Sequence, residues 1–175
     1  METAYKKRRD EAVSRKYSKA LTDRLFTLIH PYKPIPGTDW NGVFRSDVFI
    51  SWMETVKTWA KENDRFEVSM HTVGNALAYA EFSESHVIDD AIMRELNRID
   101  NEELRRGYRM GIMNKRGVHW IDPEGKPEKE LAQKYNLRAE AAEDLGYARF
   151  AELLRSIANG YLAEAKENAR QAIED

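Results

Sequence analysis

The chain has 175 residues, of which 33% are charged, with a formal net charge of −2 and no cysteine. Lacking Cys, it excludes a disulfide scaffold, a thiolate zinc site and a thiol nucleophile, and it fits a reducing compartment. A near-neutral balance excludes a generally basic nucleic-acid binder, and a chain this long buries roughly 70% of its unfolded surface without any covalent staple.

No apolar run reaches the roughly 18 residues of a membrane span. Lys6-Lys7-Arg8-Arg9 is not followed by the apolar stretch of a secretory leader, so a cytoplasmic location is expected. Charge is unevenly spread. Residues 1–30 hold eight Lys/Arg against four Asp/Glu, whereas residues 116–175 hold nine against twelve. Such asymmetry marks either a docking face or ordinary solvated helix surface.

In chain order, the first apolar stripe (Tyr5, Ala12, Val13, Tyr17, Ala20, Leu21, Phe26, Leu28, Ile29) predicts a helix over 3–29. Pro31, Pro34 and Pro36 break it and favour an extended, polyproline-like linker over 31–42. Ser46 reads as the N-cap of a helix reaching about 62, with Phe49, Ile50, Met53, Val56, Trp59 and Ala60 as its apolar positions. Further helices are expected over 69–81, 85–99 and 100–114, the last opened by an Asp100/Glu103 capping box. Asp122-Pro123-Glu124-Gly125 reads as a turn, and Pro127 suits the first turn of a helix over 127–145 that stops at Gly146. The stripe Tyr147, Phe150, Ala151, Leu154, Ile157, Ala158, Tyr161, Leu162, Ala165 predicts a helix over 147–173. Phe66-Glu67-Val68 and Val118–Ile121 are the only candidate strands. The pattern predicts an all-α fold, a single helical domain over 1–175 with six or seven helices. Its parts are the N-terminal helix, the linker, a helical core over 46–114, a loop over 115–126 and an antiparallel hairpin over 127–173.

Three segments invite a functional reading. Val68-Ser69-Met70-His71-Thr72-Val73 after a short turn resembles the second half of a helix-turn-helix, with Met70, His71, Thr72 and Asn75 at base-reading positions. Against it stands a shortage of basic residues. Gly107 and Gly111, four apart on one helix, admit a close neighbour. That neighbour is expected from the same chain, with a homo-oligomer interface as the alternative. Arg116, His119 and Trp120 form the third group. Trp120 is expected to anchor its loop to the C-terminal helix while Arg116 and His119 flank it at the surface, or else all three form a recognition loop.

Chemistry is poorly represented. His30, His71, His86 and His119 fall in no metal spacing, and His86 near Asp89 and Asp90 makes only one small cluster. Phosphate-loop, nucleophile-elbow and dinucleotide motifs are absent. No catalytic residue, cofactor or metal is expected.

Residues 107–164 carry a Met110-Gly111-Ile112-x-Asn114-x-Arg116-Gly117 turn, then Trp120, and the helix start Glu130-Leu131-Ala132-x-x-Tyr135. This third of the chain resembles the C-terminal helical region of some large, uncharacterised bacterial proteins. The resemblance implies a bacterial accessory module and transfers no catalytic residue. A non-catalytic protein-interaction or assembly module is therefore the expected function. Its alternatives are a helix-turn-helix nucleic-acid binder, with 69–81 as recognition helix, and an enzyme whose site is assembled from scattered residues.

Overall fold

The computed structural model describes residues 35–117 and 122–174, all within a unit spanning Pro34–Asp175. The helix expected over 3–29, the start of the proline-rich linker, and Val118–Ile121 with His119 and Trp120 lie outside the described residues. The described chain forms six helices: α1 (Ser46–Glu62), α2 (Phe66–Leu77), α3 (Asp90–Asn97), α4 (Glu102–Arg116), α5 (Lys126–Asp144) and α6 (Ala148–Glu174). Among the described residues there is no strand. An isolated bridge pairs Thr38 with Phe44.

That bridge corrects the expected extended path through residues 35–42. Asp39 N–H donates to Val43 O (2.9 Å) and Arg45 N–H to Gly37 O (2.9 Å), folding the segment back on itself. The Asp39 carboxylate accepts from Asn41 N and Val43 N and holds the turn. Gly37 is fitted to this path twice over, by its φ of +94° and by lying against Phe49, where a Cβ would come within 2.8 Å of Phe49 Cβ.

α1 buries Phe49, Met53 and Ala60, with Trp52 and Val56 half-buried beside them. Ser46 is its first helical residue rather than its cap. The Ser46 hydroxyl donates instead to Asp89 (2.9 Å), whose other carboxylate oxygen accepts from Ala91 N and caps α3. Lys57 pairs with Glu95, so α1 and α3 are tied at both ends of α3.

Phe66-Glu67-Val68 is the first turn of α2, not a strand. Phe66, Met70, Val73 and Leu77 recur at helical spacing, and that stripe outweighs the β-branched Val68, which faces solvent. α3 is shorter than the helix expected over 85–99. Ser83 wins the competition for the backbone before it: its N–H and hydroxyl both donate to Val87 O, and His86 takes a left-handed φ of +63°. The expected capping box also gives way. Asp100 is engaged by the Arg98 guanidinium, and Asn101 stands at the N-cap of α4 with its amide turned to the Glu95 carbonyl (2.9 Å) and carboxylate (2.7 Å).

α2 and α4 cross with backbones in contact. A Cβ added to Gly107 would meet His71 O at 1.9 Å, one on Gly111 would meet Asn75 O at 2.6 Å, and one on Gly74 would meet Leu104 O at 2.0 Å. Three glycines thus replace the side-chain layer that keeps ordinary helix pairs 8–10 Å apart. The helix that approaches Gly107 and Gly111 belongs to the same chain.

α5 and α6 form the antiparallel hairpin. Ala132, Tyr135, Ala139 and Ala142 of α5 face Phe150, Ala151, Leu154, Ile157, Ala158, Tyr161 and Ala165 of α6, all buried. Each large apolar side chain in that face contributes about 1.5–3 kcal/mol relative to exposure. Asp122 O accepts from Gly125 N (2.8 Å), closing the turn before α5, and Gly146 (φ +84°) makes the reversal after it. The first turn of α6 is capped from elsewhere. Asn97 Oδ1, at the end of α3, accepts from Arg149 N (2.8 Å) and Phe150 N (3.4 Å).

Candidate partner-binding surface

The described residues contain no group of three or more His, Asp or Glu placed to hold a metal ion, and no helix long and apolar enough to cross a membrane. His86 sits in a turn ahead of α3, so Asp89 and Asp90 do not share a helical turn with it. His71 stands 3.8 Å from the Glu103 carboxylate across the α2–α4 crossing.

The recognition-helix residues are not presented for reading. Met70 is fully buried, because it belongs to the core stripe of α2. The backbones of His71 and Asn75 lie against Gly107 and Gly111, which turns that face of α2 onto α4. Thr72 is exposed but bonds its own helix, donating to Val68 O (2.8 Å). A groove-reading helix needs its polar N-terminal residues outward, and here only Thr72 is fully exposed, while α4 lies against the His71 and Asn75 backbone.

Arg116 is likewise corrected. It lies inside the molecule, its side chain 13% exposed, rather than flanking a surface loop. It pairs with Glu128, whose side chain is 0% exposed, and with Glu164 (2.6 Å), while its guanidinium lies 5.4 Å from the Tyr161 ring centre. α4 runs two residues beyond Asn114 and ends at Gly117, φ +64°. Arg116 thereby reaches the hairpin and joins α4, α5 and α6 through one guanidinium. It is a structural clasp. Its two companions in the expected recognition group, His119 and Trp120, fall outside the described residues.

The strongest surface feature lies elsewhere. Of the eleven large apolar side chains exposed among the described residues, six fall between 40 and 68: Trp40, Val43, Val48, Ile50, Trp59 and Val68. On α1, Val48 and Trp59 lie on one flank of the buried face and Ile50 on the other. Trp40, 92% exposed, stands in the turn before α1, and Trp59, 55% exposed, on α1 itself. Around Trp59, a shallow hollow of about 410 Å³ is lined by Glu54, Thr55, Thr58 and Glu62. Both glutamates are exposed and project from the same helix as the ring.

Ile50 and Trp59, two of the apolar positions of α1, do not enter the core. Phe49, Met53, Val56 and Ala60 repeat at i, i+4, i+7 and i+11, which is one face of a 3.6-residue helix. Ile50 and Trp59 each sit one residue, about 100°, off that face. The signal was present in the spacing.

No protein-family model, curated protein or solved structure matches the chain.

Proposed function

We propose that the protein is a non-catalytic interaction module, and that its partner is a protein offering an apolar face bordered by Lys or Arg. The observation that carries this reading is the flank of α1 that exposes Val48 and Trp59 beside Glu54 and Glu62, with Trp40, 92% exposed, in the turn before that helix. Trp is the residue most enriched among interface hot spots. Glu54 and Glu62 beside Trp59 set the sign of the partner's rim. The composition and the resemblance of residues 107–164 make a bacterial, cytoplasmic setting part of the same proposal.

The experiment is affinity purification of the whole chain from its native host, beside a Trp40→Ser/Trp59→Ser double variant. The wild type is expected to retain a specific partner that the variant loses, while the variant's Tm stays close to wild type, as for surface substitutions. Titration of that purified partner should show a negative heat-capacity change, the mark of apolar burial. A partner retained equally by the variant would overturn the reading.

A further inference from the structure

A second concave feature lies between α4 and α6. The two helices run in the same sense and touch at three rungs. Tyr108 meets Phe150 edge-on with ring centres 5.8 Å apart, Met113 lies beside Gly160, and Arg116 covers Tyr161. These rungs fix the spacing of the helices and leave a groove of about 320 Å³ beside their N-terminal halves. Four guanidinium groups line it, those of Arg105, Arg106, Arg109 and Arg149, against the carboxylates of Glu102 and Glu152.

The four arginines are not equivalent. Arg106 is engaged by Glu102 (2.7 Å) and Glu103 (2.6 Å). Arg105 is held in place by Leu96 O (3.1 Å) and Arg98 O (2.5 Å), both carbonyls near the end of α3, and it has no carboxylate partner. Arg109 and Arg149 form no ion pair with any described residue. Burial, and next to it the charge of Arg149, hold the Arg105 guanidinium below its ordinary pKa. Like charges facing one another beside a low-dielectric wall repel. Solvated helix surfaces relieve this by interspersing signs. Here Glu102 and Glu103 are engaged by Arg106, and Glu152 is the one further carboxylate against the other three cations.

We propose that this groove binds an oligophosphate, the diphosphate or triphosphate part of a small molecule. Arg109 and Arg149 reach it from opposite helices, and Arg105 is the fixed third donor. Guanidinium forks match phosphate oxygens two at a time, and adjacent phosphoryl groups bring enough charge to balance three cations where one carboxylate would not. The half-buried Ser156 lines the groove as well and adds a neutral hydroxyl donor. The volume is that of a small-molecule site. A nucleic-acid strand fits less well, since a continued backbone would run across the Glu102 and Glu152 carboxylates.

Pyrophosphate is the probe, titrated against the whole chain at constant ionic strength with Tm and calorimetry as readouts. A saturable rise in Tm is expected. Arg109→Gln/Arg149→Gln should weaken binding by about tenfold or more, the loss of at least one charged hydrogen bond. Without ligand the same variant should melt no lower than wild type at low salt, because it relieves the repulsion on Arg105. Glu152→Gln should tighten binding by removing a repelling carboxylate. Four results would overturn the proposal: no saturable response, a response unchanged in the double variant, an equal response to sulfate, which would reduce the effect to screening, or displacement of pyrophosphate by duplex DNA, which would make the groove a nucleic-acid contact.

Discussion

Among the described residues, two extensively packed helix pairs achieve contact by opposite means. α5 and α6 meet through many side chains, with alanines opposite Phe150, Leu154 and Ile157, and the Tyr135 and Tyr161 rings stacked 5.7 Å apart. α2 and α4 meet through the absence of side chains, at Gly74, Gly107 and Gly111. The first kind of contact is redundant, since it sums many modest terms, and losing one side chain leaves the others. The second kind concentrates its requirement in three positions. A helix interior glycine costs about 1 kcal/mol against alanine, and close backbone packing is what that cost secures here.

The sharpest way to break this contrast is Gly107→Leu. Its Cβ alone would sit within 1.9 Å of a backbone oxygen, so α2 and α4 must separate. We expect a loss of about 3 kcal/mol or more, the upper end for overpacking, seen in urea unfolding. Gly111→Leu, whose Cβ would meet Ala78 Cβ and the Asn75 carbonyl oxygen at 2.6 Å rather than an oxygen at 1.9 Å, should cost somewhat less, roughly 1–3 kcal/mol. Equal stability of either variant with wild type would show that the crossing has slack.

On the hairpin side, Arg116→Met tests whether the clasp matters as much as the apolar stripe. Removing one partner of a buried ion pair costs on the order of 3 kcal/mol, here by disturbing buried Glu128. A Tm within a degree or two of wild type would place the hairpin's stability wholly in its apolar face.

A pH titration probes the buried phenols of both contacts without mutation. Burial, and then the neighbouring Tyr161, push the Tyr135 phenol up to about 12. Burial also raises the phenols of Tyr161 and of Tyr108. A group whose folded pKa is raised contributes stability that is complete below its unfolded value, near 10 for tyrosine, and is lost as pH climbs through the folded value. Unfolding midpoints should therefore fall between about pH 10 and about pH 12, by on the order of 2 kcal/mol for Tyr135. Tyr135→Phe should flatten the fall, and an unchanged profile would show that the phenol is not the source. The smallest effect is expected from Asn97→Ala, about 1 kcal/mol for a lost helix cap, measured by thermal melting.

The hairpin was legible because its signals were long and local. Predicted limits of 127–145 and 147–173 stand beside observed limits of 126–144 and 148–174, since many turns of one stripe and a glycine stop agree. The close glycine pair was legible too, as two residues that cost a helix something. Gly74, their counterpart on α2, gave no such hint, because a lone glycine has no spacing to read. Short-range cap patterns failed wherever a tertiary partner outbid them. Ser46 turned to Asp89, and Asp100 to Arg98. The arginine groove was invisible for a related reason: Arg105 and Arg109 lie on one helix, Arg149 on another forty residues away, and only the parallel docking of α4 and α6 brings them together.

The Asn97 cap binds the start of α6 to the end of α3 across more than fifty residues of chain. Half of the first turn of α6 is thus completed by a residue that reaches it only when α3 is docked. The Arg149 and Phe150 amides consequently report on a distant event. Their hydrogen exchange should follow the opening of α3, whereas amides farther along α6 follow the opening of the hairpin. Two cooperative units are joined at those two protons, and their exchange rates record whether the units open together or one at a time.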